Sequence, residues 1–364
     1  MAEALTDELV EEILVRLPPG DPVSLARAAA ACRQWRRVAS APSFRHAFAR
    51  RHRAAPMLGF VANLRDGDGG DPYDFVARFV PATPFRPRRP DRRDRRALDA
   101  RHGRVLLLTT PWGPNLEVWD PVTDQLRALP RPPLPDSPFS WNAAVACAAA
   151  HGECDHLACS RGPFLVVFLD SDTEDMRVHV YSSESGAWTG PVYGPPSPTY
   201  GVEMVPTALV GNAIHFLIDA TNSILKYDLA TRSVSVIHLP PGFVSDFAVL
   251  TTSEDGGLGF ARVEKSRLWL WSSMETGPEG DAVWTQNRSV ELETLLGVEA
   301  ASIDNDCVGF AHGVGLFFVR TEDAWFSIDL KSGWVKEEDC GDGHTHGIVP
   351  YTSFYTPGTT LLSP

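Results

Sequence analysis

The sequence predicts an α+β multidomain chain: a small module of three helices over residues 1–54, then an all-β body of about six repeated sheets over residues 55–364. Three observations lead there. Apolar residues recur at helical spacing between cap and stop signals up to residue 52, the pattern changes after Met57 to strand-length alternation between turns, and that alternation returns periodically. A chain of 364 residues exceeds the ~250–300 at which single cores stop growing, so two domains are the default. Its 30 prolines and 29 glycines require many short elements.

The first helix opens at Thr6, whose hydroxyl can accept from an orphan N–H, and Asp7 and Glu8 then sit against the positive end of the helix dipole. Leu9, Ile13, Leu14 and Leu17 form one apolar stripe, with Glu11, Glu12 and Arg16 elsewhere on the wheel. Pro18, Pro19 and Gly20 stop it. Asp21 and Pro22 start the second helix as cap and first helical residue, and Leu25, Ala28 or Ala29, Cys32, Trp35 and Ala39 share its face until Pro42. A third helix runs from Ser43 to about His52, basic outside, with Phe44 and Phe48 inward. Below ~70 residues a core supplies only a few kcal/mol, so such a module gains from a partner. The alternative is an independent helix-turn-helix, with Arg27, Arg33, Arg36 and Arg37 available to DNA.

In the body, strand, polar turn and strand recur at Leu116–Pro130, Val178–Trp188, Ile224–Pro240, Leu268–Trp284 and Ala324–Trp334. Asp120, Asp228 and Asp329 mark matching turns, and with one further copy inside each gap the repeat is roughly fifty residues, the spacing of β-propeller blades. Between these hairpins, a glycine turn precedes an apolar strand at His102–Thr109, Val210–Ile218 and His312–Val319. Continuous apolar strands suit inner positions and alternating hairpins suit outer ones. A sandwich of two stacked sheets is the alternative.

The order Leu5, Glu8, Leu9, Ile13, Leu14, Leu17-Pro18, Leu25, Cys32, Trp35 and Pro42-Ser43-Phe44 resembles an F-box along its full length. Two residues depart from that pattern: Thr6 stands where proline is usual, and Ala31 replaces the small aliphatic before the cysteine. The bridge His52–Phe60 resembles the join to a carboxy-terminal domain in a large family of grass-plant F-box proteins, and the body resembles their kelch-like propeller, although full double-glycine kelch motifs are absent. The resemblance implies a substrate-recognition subunit of a Skp-cullin-F-box ubiquitin ligase. Leu5, Leu9, Ile13, Leu14, Leu17, Pro18, Leu25, Cys32 and Trp35 would bind the Skp adaptor and, through it, a cullin, while the propeller presents an unidentified target protein. The alternatives are a scaffold that engages the adaptor without delivering a substrate and a propeller enzyme that processes glycans.

Residues 1–104 carry 20 Lys plus Arg against 13 Asp plus Glu, whereas residues 105–364 carry 13 against 33. So acidic a body argues against nucleic acid, whose phosphates draw affinity from Lys and Arg. The first twenty residues are acidic where a secretory leader would be basic and then apolar, and no apolar run nears the ~20 residues of a membrane span. The expectation is a soluble protein of the cytoplasm or nucleus, with its six cysteines reduced.

Three constellations invite chemistry. Cys147, His151, Cys154, His156 and Cys159 crowd thirteen residues, but their spacings match no paired zinc pattern, and buried cysteines beside an inner strand account for them. Asp339, Cys340, Asp342, His344 and His346 read as a polar loop. Arg86, Arg88, Arg89, Arg92, Arg93, Arg95 and Arg96 read as a solvated blade connection, with a nuclear address as the alternative. Nucleophile and phosphate-loop motifs are missing, and Ser183–Trp188 departs from the Asp-box turn of sialidase propellers in composition and length. No catalytic residue, cofactor or metal is therefore expected.

Overall fold

The computed structural model describes residues 5–65, 74–109, 114–134, 140–149, 154–156, 159–172, 174–194, 201–218, 222–240, 248–253, 255–275, 282–341 and 344–357. Four helices come first, α1 (Asp7–Leu14), α2 (Pro22–Ala31), α3 (Arg33–Ser40) and α4 (Pro42–His52), where three were expected. The second expected helix breaks at Cys32, whose φ of −157° and ψ of 169° are extended and whose sulfur accepts from the Trp35 amide at 3.5 Å as the cap of α3. The face expected to run from Leu25 to Ala39 is thereby split. Leu25 and Ala29 are buried from α2 and Val38 and Ala39 from α3, while Cys32 is exposed.

These four side chains meet Val10, Leu14, Phe44 and Phe48 in one core. On α1 the buried pair is therefore Val10 and Leu14, so the expected stripe of Leu9, Ile13, Leu14 and Leu17 is divided: Leu14 faces the core with Val10, while Leu9 and Ile13 face outward. Periodicity identified the helix, but the packing of α3 and α4 chose its inner side.

Strands follow from Met57. Blade one begins with β1 (Met57–Arg65), β2 (Phe75–Pro81) and β3 (Asp91–Arg93). Blade two is β4 (Arg95–Arg101), β5 (Arg104–Thr109), β6 (Asn115–Asp120) and β7 (Gln125–Ala128). Blade three is β8 (Ser140–Cys147), β9 (Phe164–Ser171) and β10 (Met176–Ser182), with β11 (Ala187–Trp188) and β12 (Val192–Tyr193) both paired to β10. Blade four is β13 (Ala208–Val210), β14 (Ala213–Ile218), β15 (Ser223–Asp228) and β16 (Ser233–His238). Blade five is β17 (Val249–Thr252), β18 (Leu258–Glu264), β19 (Arg267–Glu275) and β20 (Ala282–Glu291), and the short helix α5 (Leu292–Leu296) follows it. Blade six is β21 (Ile303–Ala311), β22 (Leu316–Thr321), β23 (Trp325–Asp329) and β24 (Trp334–Glu338). The last strand, β25 (His344–Thr352), returns to blade one and pairs antiparallel with β1, with Val349 opposite Val61.

The chain thus closes a six-bladed β-propeller by hydrogen-bonding its end to its beginning, which removes an exposed sheet edge. The sandwich alternative is excluded.

The first strands of neighbouring blades pack side by side, β25 with β4, β4 with β8, β13 with β17, β17 with β21 and β21 with β25. The apolar strands β5, β14 and β22, expected at inner positions, stand second in their blades. They are mostly apolar because cores fill the spaces between blades and bury both faces of each sheet. The alternating hairpins are outermost, as expected: β6–β7, β15–β16 and β23–β24.

The periodic aspartates explain their own recurrence. Asp120 accepts from the Val122 amide at 2.8 Å, Asp228 from the Ala230 amide at 2.8 Å and Asp329 from the Lys331 amide at 2.9 Å. Each closes the turn after a third strand by capping the amide two residues on.

The arginine run is mostly strand rather than solvated connection. Arg92 is buried over the Trp119 ring at 4.6 Å and ion-paired with Asp124, Arg95 binds Glu117 at 2.8 Å, and Arg96 lies over Phe75 at 5.1 Å. Arg86, Arg88, Arg89 and Arg93 are exposed. Among the described residues, no helix is long and apolar enough to cross a membrane.

Candidate functional site

On α1, what faces away from the core is the finding. Leu9 and Ile13, 47% and 41% exposed, stand at i and i+4 in one row along the helix, and Leu5, just before the cap Thr6, is 44% exposed. The start of that row is held from behind. Thr6, in the place where proline is usual, accepts from the Leu9 amide at 3.4 Å and caps α1. Gln34 of α3 donates to the Leu5 carbonyl at 2.7 Å and to Asp7 at 2.9 Å, and Arg37 adds an ion pair to Asp7 at 2.6 Å. Those two partners, Gln34 first, hold the Asp7 carboxyl below its ordinary value.

The other residues that the sequence pointed to separate into three groups. Leu14 and Leu25 lie inside the module core, where they support the row from beneath. Leu17 and Trp35 are half-buried at its margin, and Pro18 and Cys32 are exposed.

Phe354, which follows β25, packs into the helical core and meets Phe48 edge-on. His52 donates to the Val15 carbonyl at 3.0 Å and ties α4 back to the end of α1. A cleft of about 90 Å³ remains between α4 and the propeller, lined by Arg45, His102, Gly103, Asp120, His156, Arg161 and Phe354 among others. Gly103 has φ +74° in the turn between β4 and β5, after His102 at +53°. Only glycine fits at Gly103, since a Cβ would lie 2.8 Å from Ser160 and 2.9 Å from Ser353.

The cysteine group behaves differently from its sequence reading. β8 ends at Cys147, and the chain returns through a 3-10 turn (Cys159–Arg161) to β9. This brings the ligand atoms of Cys147, Cys154, His156 and Cys159 all within 4.8 Å of one another. His151 lies outside the described residues. A hydrogen bond from Cys159 holds the Cys147 thiol down to about 5 and pushes Cys159 well up, and burial raises Cys154. The tail group does not converge likewise: among the described residues Asp339 caps the Gly341 amide at 2.9 Å, Cys340 is buried and His346 packs on Phe75. Asp342 lies outside the described residues.

A second cavity, about 220 Å³, is lined by residues at the ends of the first strands, including Arg101, His102, Phe310 and His312. Its polar groups are structural. Asp99 pairs with Arg101 and accepts from the Val145 amide at 2.9 Å, and Arg101 donates to the Thr207 carbonyl, so the pair stitches three blades together. Burial pushes both His102 and His312 down to about 3, which keeps the rings neutral.

Sequence reasoning missed Val10, Phe354 and the grip of Gln34 and Arg37 on Asp7. The first was legible as an alternative helical face; the others depend on residues distant in the chain.

No curated protein matches the chain. Solved structures similar to it include a functionally unknown protein from Desulfotomaculum acetoxidans DSM 771, at 12% identity and TM-score 0.47, covering 81% of this chain and 89% of that one. The Nidogen/Laminin complex matches at 13% and 0.39, covering 80% and 97%. Dihydro-heme d1 dehydrogenase NirN in complex with DHE matches at 12% and 0.38, covering 78% and 54%. The sequence model described as F-box protein AT5G49610-like, beta-propeller matches residues 96–357. With well over half of its length matched and six blades closed on themselves, the chain belongs to the F-box protein AT5G49610-like β-propeller family.

Proposed function

We propose that residues 1–54 are an F-box that docks a Skp-type adaptor, and that residues 55–364 form the part that binds a target protein, making the chain a substrate-recognition subunit of a Skp-cullin-F-box ubiquitin ligase. One observation carries the reading: among the described residues, three of the eight exposed large hydrophobic side chains, Leu5, Leu9 and Ile13, lie on α1 or just before its cap. A row of aliphatic side chains on a helix held rigid from behind fits a partner's hydrophobic groove. Leu17, Pro18, Cys32 and Trp35 would extend the contact, with Leu14 and Leu25 acting from beneath.

In this reading no residue of the chain reacts. Its contribution is proximity, raising the effective concentration of target lysines near a thioester carried by another protein. The roughly fifty-residue spacing of the blades supports a kelch-like type, and a cytoplasmic or nuclear site of action follows from the proposed partners.

Co-purification of the full chain with a Skp-type adaptor tests this. Wild type should recover the adaptor, and Ile13→Asp, whose side chain is already in solvent, should fold and lose it. Equal recovery by both would sink the docking reading.

A further inference from the structure

We propose that Cys147, Cys154, His156 and Cys159 bind one zinc ion in a closed tetrahedral site that fastens the chain between β8 and β9 beside the cleft under the helical module.

The donor set is the first support. Three thiolates and one imidazole are a common complement of structural zinc, and soft sulfur ligands select zinc over calcium, magnesium or manganese. Geometry is the second. Zinc–sulfur bonds of about 2.3 Å and a zinc–nitrogen bond of about 2.0 Å place the donors of a tetrahedron about 3.5–3.8 Å apart. Here His156 Nδ1 and Cys159 Sγ are 3.9 Å apart, and all four donors lie within 4.8 Å of one another. Closing the donor separations by no more than about 1 Å completes the coordination.

The surroundings suit sulfur that carries negative charge. The Ala149 amide points at Cys147 Sγ at 3.5 Å, and the His156 amide at Cys154 Sγ at 3.3 Å. The Arg104 guanidinium donates to the Cys159 carbonyl at 2.9 Å and the Gly162 carbonyl at 2.5 Å. It therefore brings a positive charge beside a centre whose three thiolates and one Zn²⁺ sum to a single negative charge. His102 accepts from the Cys147 amide at 3.1 Å and stacks on the His156 ring with centroids 4.5 Å apart, which fixes the orientation of that ligand. Backbone donors to sulfur and a fixed ligand ring are the outer shell such a centre needs.

Four protein donors leave no open position, so the site is structural rather than catalytic. Binding is redox-neutral: each neutral thiol that coordinates loses a proton as its sulfur–zinc bond forms, and no electron moves. The consequence is local. His156 and Arg161 line the cleft against Arg45 of α4, so a fixed zinc loop gives the helical module a firm floor.

The test uses the full chain purified under reductant in chelator-free buffer, with metal measured by mass spectrometry. Wild type should hold about one zinc per chain. Cys159→Ser and His156→Ala should lose it, while Cys32→Ser and Cys340→Ser keep it. Should Cys159→Ser fail to fold, cobalt loaded into the chelator-stripped wild type is a second readout: tetrahedral d–d bands with thiolate charge-transfer absorption support the site. A wild type that holds no zinc after reduction, reconstitution and desalting overturns the proposal. So does retention of zinc by both folded ligand variants, or cobalt spectra without thiolate absorption.

Discussion

Phe354 meets Phe48 edge to face with ring centroids 5.9 Å apart, joining the segment that closes the propeller to the last helix of the amino-terminal module. An aromatic pair of this geometry adds about 0.5–1.5 kcal/mol beyond the area it buries. Phe354→Ala should therefore destabilise the helices by about 1–3 kcal/mol while sparing the propeller. Hydrogen exchange resolved by peptide would show faster exchange confined to residues 7–52; uniform exchange along the chain would contradict the coupling.

The two sides of α1 should respond in opposite ways. Leu14→Ala removes a fully buried side chain and should cost about 2–5 kcal/mol. Leu9→Ala, on the exposed row, should change stability by no more than about 0.5 kcal/mol and act on adaptor binding instead. Urea midpoints read beside adaptor recovery separate the two effects.

Tyr351 of β25 donates to the Gly103 carbonyl at 3.1 Å, a buried bond between the closing strand and the turn before β5. Tyr351→Phe keeps the ring but orphans that carbonyl. The expected loss is about 1–3 kcal/mol in urea unfolding, since an unsatisfied buried acceptor bears its full desolvation cost.

Acid should unfold the propeller partly through His312. Its ring nitrogens are buried, and burial lowers it from 6.5 to about 3. The unfolded chain takes up a proton below pH 6.5 while the folded chain stays neutral, so stability is full above that value and falls as pH drops towards about 3. The slope is about 1.4 kcal/mol per pH unit for one proton. His312→Gln should flatten urea stability by that amount across the window; an unchanged slope would assign the acid sensitivity elsewhere.

Much of this architecture is written locally. Asp120, Asp228 and Asp329 each cap an amide two residues away, so their recurrence directly reports the blade period. Thr6 and Asp21 cap helices for the same local reason, Asp21 accepting from the Ser24 amide at 3.2 Å. The break at Cys32 was not legible, because a sulfur cap is weak and the preceding alanines favour continuing the helix. Which inner place β5 and β14 take was hidden too: burial on both faces reports only that other sheets lie on both sides.

The sequence by itself determined the helical character of residues 7–52, the turns and the period of the blades, since caps, turns and strand alternation depend on residues within a few positions of one another. Only the tertiary structure decided that Val10 packs inward with Leu14, that β25 closes the ring on β1, and that Cys147, Cys154, His156 and Cys159 converge. Those outcomes depend on packing between elements and on the path of a returning chain, and spacing along the sequence does not fix distance across a loop.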